Sequence, residues 1–248
     1  MDAAVNPELI RRISHEEQKK RGWKLVVNGI GEVPGVMEAS LRNEKMGVEV
    51  RYGMRAEGYD GVVIHEPGGG GSVLVPYVIY ESKLWVALLK QVRRTQCPEH
   101  DEESTVSNLP RGYMDPGKTH FETASQEMRE ESGVLVEASR IVELSGTAMT
   151  CPANPNSAYF DTSKEGEGVH FYGVRFSNAE VEKRGVMVVF REGMVSPVSE
   201  DRLAERILSC HFYPWWIAAE VGDMFTNAGV ARLMSHLRGT GELQNANL

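Results

Sequence analysis

Apolar and polar residues alternate early in the chain in the way half-buried strands require. Trp23–Val27 is a short apolar run stopped by Asn28-Gly29 and Gly31, and Val48, Val50 and Tyr52 alternate with polar neighbours ahead of Val62–His65. These pieces predict a small antiparallel sheet. Before it, Leu9, Ile10 and Ile13 form a narrow apolar stripe on a helix candidate, Pro7–Arg21, capped by Asn6. The pattern then changes. Val73–Ile79 and Leu84–Leu89 are nearly unbroken apolar runs around Tyr80–Lys83, which predicts a hairpin at the centre of a sheet covered on both faces. Further strands are expected over Val134–Leu144, Val169–Phe176 and Gly185–Arg191. Between them the period becomes helical from Phe121 to Ser132: Phe121, Ala124 and Met128 share one stripe, and Gly133 fits a left-handed C-terminal cap. The tail, Val195–Leu248, reads as helical, first Glu200–Cys210 and then Pro214–Leu237, with Gly222 and Gly229 as possible interruptions. Its aromatics Phe212, Tyr213, Trp215 and Trp216 suit a core or an interface better than a ligand cage.

This order of elements places helices on both faces of a mixed sheet, an α/β/α sandwich with a small N-terminal β element and a C-terminal helical extension. The expected division is 1–71, 72–195 and 196–248. Apolar residues make up 41% and charged residues 25% of the 248, as in an ordinary globular chain. The net charge of -8 argues against a general nucleic-acid coat or an anionic membrane surface, but a small phosphorylated ligand can still be held by local cations. Cys97, Cys151 and Cys210 are odd in number and scattered, so no disulfide framework is expected and a reducing compartment is favoured. No apolar run approaches the roughly 18 residues of a membrane span, and MDAAVNPELIRR carries no apolar signal segment. The expected location is the cytoplasm.

Several stretches invite a functional reading and mostly decline it. Pro67–Ser72 is glycine-rich, but no Gly-Lys-Ser/Thr closes it and a strand rather than a helix follows, so it reads as a turn. Cys97 and His100 lie three residues apart in a polar loop without a second pair to complete a metal site. Lys90, Arg93 and Arg94 follow a core strand and can either reach an acidic ligand or rim the surface. Residues 146–168 form a long connection rich in Pro, Asn and Gly, a length often used for lids and specificity loops.

The chemistry gathers at Pro110–Val134, PRGYMDPGKTHFETASQEMREESGV. Glu127, Glu130 and Glu131 stand at i, i+3 and i+4, so on an α-helix they fall within about 100° of one another. Three like charges repel unless a cation lies above them, and a hard divalent ion with oxygen ligands is the natural one. A solvated charge run on a surface helix is the plainer alternative.

The glycines around these carboxylates carry a family resemblance. The segment is similar to the Nudix box, whose pattern runs glycine, five residues, Glu, seven residues, Arg-Glu-aliphatic, any residue, Glu-Glu, any residue, Gly-aliphatic. Gly112 fits the first glycine, and Glu127, Met128, Glu130, Glu131, Gly133 and Val134 fit the second half, while Pro110 and Pro116-Gly117 stand where many members carry such residues. Lys118 departs from the first Glu and Gln126 from the Arg. The layout resembles the branch that hydrolyses ADP-ribose and nucleotide sugars.

The resemblance implies a metal-dependent hydrolase that cleaves the diphosphate of a nucleoside diphosphate derivative, with Mg²⁺ or Mn²⁺ as cofactor. Glu127, Glu130 and Glu131 carry over as ligands and catalytic residues, and Gly112 as the position where the backbone approaches the metal. Arg93, Arg94 and Lys118 are candidates for contact with substrate, and Asp161, Glu165 and Glu167 for a base. The resemblance further implies a homodimer through the N-terminal extension, while the acidic charge and the lack of basic runs count against a nucleic-acid partner. The two departures also leave a second class open, a Nudix-fold protein without hydrolysis that binds a nucleotide or a protein. Lys facing Arg would repel, whereas Lys118 facing Gln126 can hydrogen-bond, so the two departures read as one compensated change.

Overall fold

Two separate sheets organise the chain. The computed structural model describes residues 23–27, 37–43, 48–54, 60–65, 71–92, 105–115, 117–144, 157–158, 168–196 and 207–242, with 23–65 and 157–158 described by their backbone. The first sheet is a four-stranded antiparallel meander of β1 (Trp23–Val27), β2 (Met37–Asn43), β3 (Val48–Met54) and β4 (Asp60–His65). It is the small sheet that the alternation predicts, with β2 as an additional strand. The helix candidate Pro7–Arg21 lies outside the described residues.

The second sheet has ten strands. Its central hairpin is β5 (Gly71–Tyr80) and β6 (Lys83–Val92), joined by Glu81 and Ser82, which both have positive φ as a two-residue hairpin turn of the I′ kind requires. Next come β7 (Thr105–Asn108), β8 (Arg111–Tyr113), β9 (Ile141–Glu143), β10 (Ser157–Ala158), β11 (Val169–Phe176), β12 (Val181–Arg184), β13 (Met187–Phe190) and β14 (Ile207–Pro214). The order is β10-β11-β5-β6-β14-β13-β12, and β11 runs parallel to β5 while its other neighbours are antiparallel. The sheet is therefore mixed, and short strands curl it. β8 pairs with Gly71–Val73 of β5, whereas β6 pairs with Tyr77–Tyr80, and β7 takes the far end of β6. β5 and β6 thus part company toward one end, and the chain crossing that opening is tied down where Leu74 N donates to Pro110 O at 2.9 Å.

Both faces are covered. On one, Leu74, Val78, Trp85, Ala87 and Leu89 pack with Ala124 and Met128 of α1 (His120–Glu127) and of the turn that follows it. On the other, Val73, Val75, Tyr77, Leu84, Val86 and Leu88 pack with Ala218 of α2 (Trp215–Glu220) and with Val230, Leu233 and Leu237 of α3 (Met224–Gly239). Burial on both sides is why β5 and β6 read as continuous apolar runs. The result is the α/β/α sandwich expected from the order of elements.

Three expectations change in detail. The helix expected over Glu200–Cys210 gives way, in its described residues, to β14, which runs between β6 and β13 with buried Cys210 and Phe212 facing the core. The strand expected over Gly185–Arg191 is present as β13, and it forms a hairpin with the additional strand β12, turning at Gly185-Val186 with Gly185 at φ 64°. Val134–Leu144 is extended only in part: Val134 bridges Val195, a 3-10 turn spans Ala138–Arg140, and β9 follows. Gly222 does separate α2 from α3, but Gly229 lies inside α3. A Cβ there would stand 2.7 Å from Leu109 Cδ1 and 3.1 Å from Val75 Cγ2, so its absence seats the helix flush on the sheet. No helix among the described residues is long and apolar enough to cross a membrane.

Candidate active site

Local sequence explains why the carboxylates stand where they do. Thr119 caps α1 through a capping box: its hydroxyl accepts from Glu122 N at 3.2 Å, and Glu122 Oε2 accepts from Thr119 N at 2.8 Å. Hydrogen bonds from the Thr119 backbone and hydroxyl hold the Glu122 carboxyl below its ordinary range, so Glu122 serves the helix end. After Glu127 the helix widens into a π turn, Met128–Ser132, closed by Gly133 at φ 76°. Ser132 Oγ donates to Met128 O and accepts from Val134 N at 3.1 Å, which holds the widened turn in place.

That π turn redistributes the three carboxylates. A turn closed by i→i+5 bonds advances less per residue than an α-helix, so the residue four positions on returns to the starting face and the residue three positions on lags behind it. Glu127 and Glu131 accordingly both line one cleft. Glu130 is not among its lining residues, and its Oε1 instead accepts from Arg129 Nη2 at 3.2 Å. Of the three carboxylates, Glu127 and Glu131 line this cleft and Glu130 pairs with Arg129.

The cleft encloses about 430 Å³ at the end of the sheet where β5 and β6 diverge. Besides Glu127 and Glu131 it is lined by Gly71, Ser72 and Val73 of β5, Gln91 of β6, Arg111, Gly112 and Tyr113 of β8, Val169 of β11 and Phe225 of α3. Gly112 has a clear reason to be glycine: a Cβ there would overlap the carboxylate of Glu127. Glu131 is buried, 2% exposed, and its Oε2 accepts from Arg111 N at 2.7 Å. A buried carboxylate with a backbone donor is fixed in place, while Glu127 is half-buried and its carboxylate occupies the space that Gly112 leaves. Ser72 Oγ also donates to His120 O at 2.8 Å, and His120 Nδ1 lies 3.1 Å from Gly71 O. That carbonyl only accepts, which assigns the proton to Nδ1. The His120 ring stacks on His170 with centroids 3.9 Å apart, bracing the start of α1 against β5 and β11.

The other residues singled out in the sequence divide into two groups. Lys118 Nζ donates to Asp115 Oδ2 at 2.7 Å and to Gln126 Oε1, the hydrogen bond that the paired departures suggest. Arg93, Arg94, Asp161, Glu165 and Glu167 lie outside the described residues. Among the described residues, no group of three or more His, Cys, Asp or Glu side chains is arranged to hold a metal ion. Two carboxylates do meet the need of Mg²⁺, which binds through one or two protein carboxylates, keeps waters and shares substrate phosphates.

Two residues were missed in the sequence reading, Arg111 and its partner Asp223. Arg111 Nη1 donates to both oxygens of Asp223, at 2.6 and 2.7 Å, and its guanidinium lies 5.0 Å above the Phe225 ring. Asp223 in turn caps α3, accepting from Thr226 N at 2.9 Å and Thr226 Oγ1 at 2.7 Å, while Thr226 Oγ1 accepts from Leu109 N at 3.1 Å. The start of α3 is therefore stitched to the strand that carries Gly112. An arginine directly before the first glycine was the available signal, but its acidic partner lies 112 residues away.

No protein-family model matches the chain, and no curated protein sequence does. Among solved structures it is similar to an ADP compounds hydrolase, with TM-score 0.43, 12% identity and coverage of 88% of this chain and 94% of that one. It is also similar to a C. elegans Ap4A hydrolase, with TM-score 0.41, 14% identity and coverage of 68% and 98%. A mutT/nudix family protein from Listeria innocua gives TM-score 0.43, 16% identity and coverage of 71% and 98%. Layer order and sheet topology define the fold class of this chain as an α/β/α sandwich around a mixed sheet.

Proposed function

We propose that the chain is a metal-dependent hydrolase of the Nudix type, cleaving the diphosphate of a nucleoside diphosphate derivative such as ADP-ribose or a nucleotide sugar. The observation that carries this reading is the mutual packing of the motif: Glu127 seated against Gly112, and Glu131 buried on the amide of Arg111, both facing one cleft. Glu127, Glu131 and the backbone at Gly112 would hold Mg²⁺ or Mn²⁺. The bound ion would neutralise diphosphate charge and lower the pKa of a coordinated water. Glu131 keeps its carboxylate oriented on the Arg111 amide, Glu127 lines the same cleft, and Glu130, paired with Arg129, is a third candidate ligand. Lys118 acts through the loop, bracing Asp115 against Gln126, and Arg93 and Arg94 remain candidates for substrate contact. The protein works in the cytoplasm as a homodimer through its N-terminal sheet, on a small molecule rather than on nucleic acid.

A second reading, a nucleotide- or protein-binding module without hydrolysis, is favoured by Lys118 in place of an acid and by Glu130 standing beside the cleft. Calorimetric titration with Mn²⁺, together with a panel of nucleoside diphosphate derivatives, separates the two. Turnover that depends on Mn²⁺ and is lost in Glu127→Gln and Glu131→Gln supports the hydrolase. Nucleotide binding without turnover on any substrate selects the binding module, and absence of both Mn²⁺ and nucleotide binding refutes the site altogether.

A further inference from the structure

The geometry points to Arg111 as the anion-binding residue of the cleft, taking a phosphoryl group of the ligand side-on through Nε and Nη2. The inference rests on the proposed diphosphate reading for its ligand class and on the following contacts for its site. Arg111 lines the cleft with only 15% of its side-chain surface exposed. Its backbone amide serves Glu131, and its Nη1 serves Asp223. Nε and Nη2 have no hydrogen-bond partner among the described residues, and neither is an orphaned buried atom. They are therefore not sealed from solvent, and Arg111 lines the cleft.

The remaining edge has the right shape for an oxyanion. Nε–H and one Nη2–H lie parallel on the same side of a guanidinium, so together they form a fork that matches two oxygens of a phosphoryl group. The protein fixes that fork from two directions. Asp223 grips the opposite corner, and Phe225 lies under the guanidinium face, where the ring quadrupole favours a cation. Asp223 is itself locked by capping α3, so the arginine is preorganised and little side-chain freedom is lost on binding. The arrangement also divides the labour of the cleft. Glu127 and Glu131 repel an anion unless a cation lies between, while Arg111 attracts one directly; a diphosphate spanning both gives each phosphoryl group its own counter-charge. Lys118, the cation suggested by the sequence, has its ammonium on Asp115 and Gln126 instead.

Substitution at this position separates the two uses of the residue, because the contact to Glu131 comes from the backbone and survives any side chain. The test is calorimetric titration of the full-length protein with inorganic pyrophosphate in the presence of Mn²⁺, on wild type, Arg111→Lys and Arg111→Gln, with a thermal melt of each. A lost charged hydrogen-bond pair of this kind corresponds to about 10- to 100-fold in affinity. Arg111→Gln is expected to weaken pyrophosphate binding by that factor while Mn²⁺ binding alone stays at the wild-type value. Arg111→Lys keeps the charge and a contact to Asp223 but has no fork, so it is expected to weaken binding with an unchanged melt, which guards against misfolding of the first variant. If a substrate is turned over, both variants raise KM more than they lower kcat. Pyrophosphate affinity equal to wild type in folded Arg111→Lys and Arg111→Gln overturns the assignment, even where hydrolysis persists. Loss of pyrophosphate binding in the variants of a protein that hydrolyses nothing upholds the assignment and removes only the hydrolase reading.

Discussion

Two glycines on the paired strands β5 and β8, Gly71 and Gly112, should fail in opposite ways when given a methyl group. At Gly112 the added Cβ lands on the carboxylate of Glu127, with Oε2 at 2.9 Å the third nearest atom. That obstacle is the far end of a flexible, half-buried side chain, and a new rotamer relieves it at a cost of about 1 kcal/mol. At Gly71 the added Cβ stands 2.7 Å from Gly112 O, with the carbonyl carbon next at 3.5 Å. A backbone carbonyl cannot rotate away without opening the pairing of β5 with β8, so the cost is that of overpacking a core, about 1–3 kcal/mol. For a chain of this size each kcal/mol moves the melting temperature by roughly 2–4 °C. Gly112→Ala should therefore melt within a few degrees of wild type yet bind Mn²⁺ at least about tenfold more weakly, since a cleft carboxylate has moved. Gly71→Ala should melt lower by up to about 10 °C, and lose metal affinity only in proportion to unfolding. Thermal melts paired with Mn²⁺ calorimetry read both quantities. Wild-type Mn²⁺ affinity in Gly112→Ala would show that the position of Glu127 against Gly112 has no bearing on the metal site.

Three further outcomes follow from contacts elsewhere in the fold. Gly229→Ala should destabilise by about 1–3 kcal/mol in a denaturant titration, although alanine is the better helix former by about 1 kcal/mol, because the methyl meets Leu109 and Val75. Glu180 is penalised by partial burial, but Arg140 together with the Ser177 amide and hydroxyl more than compensates and holds its carboxyl below the ordinary range. A depressed folded-state value stabilises above the unfolded carboxylate range and is lost as pH falls through it, so the melting deficit of Glu180→Gln, worth about 1 kcal/mol near neutrality, should shrink toward zero in acid. Finally, Lys118→Glu and Gln126→Arg should each destabilise, and the double variant should cost less than their sum by about 0.5 kcal/mol or more; strict additivity in a double-mutant cycle would show that the Lys118–Gln126 contact carries no coupling.

What was legible in the sequence was whatever a period or a glycine could encode locally. The apolar runs Val73–Ile79 and Leu84–Leu89 exposed the doubly covered hairpin, and Phe121, Ala124 and Met128 marked the buried face of α1. Gly133 announced its own left-handed cap. The π turn was hidden, because MREES has the spacing of an ordinary α-helix and the widening is fixed by Ser132 and by packing of Met128. β14 was hidden for a different reason. Ile207–Pro214 alternates buried and less buried residues only weakly, and long-range pairing with β6 and β13 overrides a local pattern that reads as helix.

The same distinction locates the site. Each carboxylate of the motif was visible, but what holds it is tertiary: the Glu131 contact spans 20 residues and the Arg111–Asp223 pair spans 112. Through that pair the first turn of α3 fixes the strand β8, and β8 supplies both the amide that orients Glu131 and the glycine that admits Glu127. The C-terminal segment also inserts β14 into the middle of the sheet. Chemistry written within Pro110–Val134 is thus tied to the C-terminal segment that begins at β14, so substitutions at Asp223 or Thr226, which touch neither carboxylate, should change pyrophosphate affinity in the cleft as well as stability. A cleft whose affinities ignored both of them would have to be shaped by the motif alone, and the hydrogen bonds joining α3 to β8 argue that it is not.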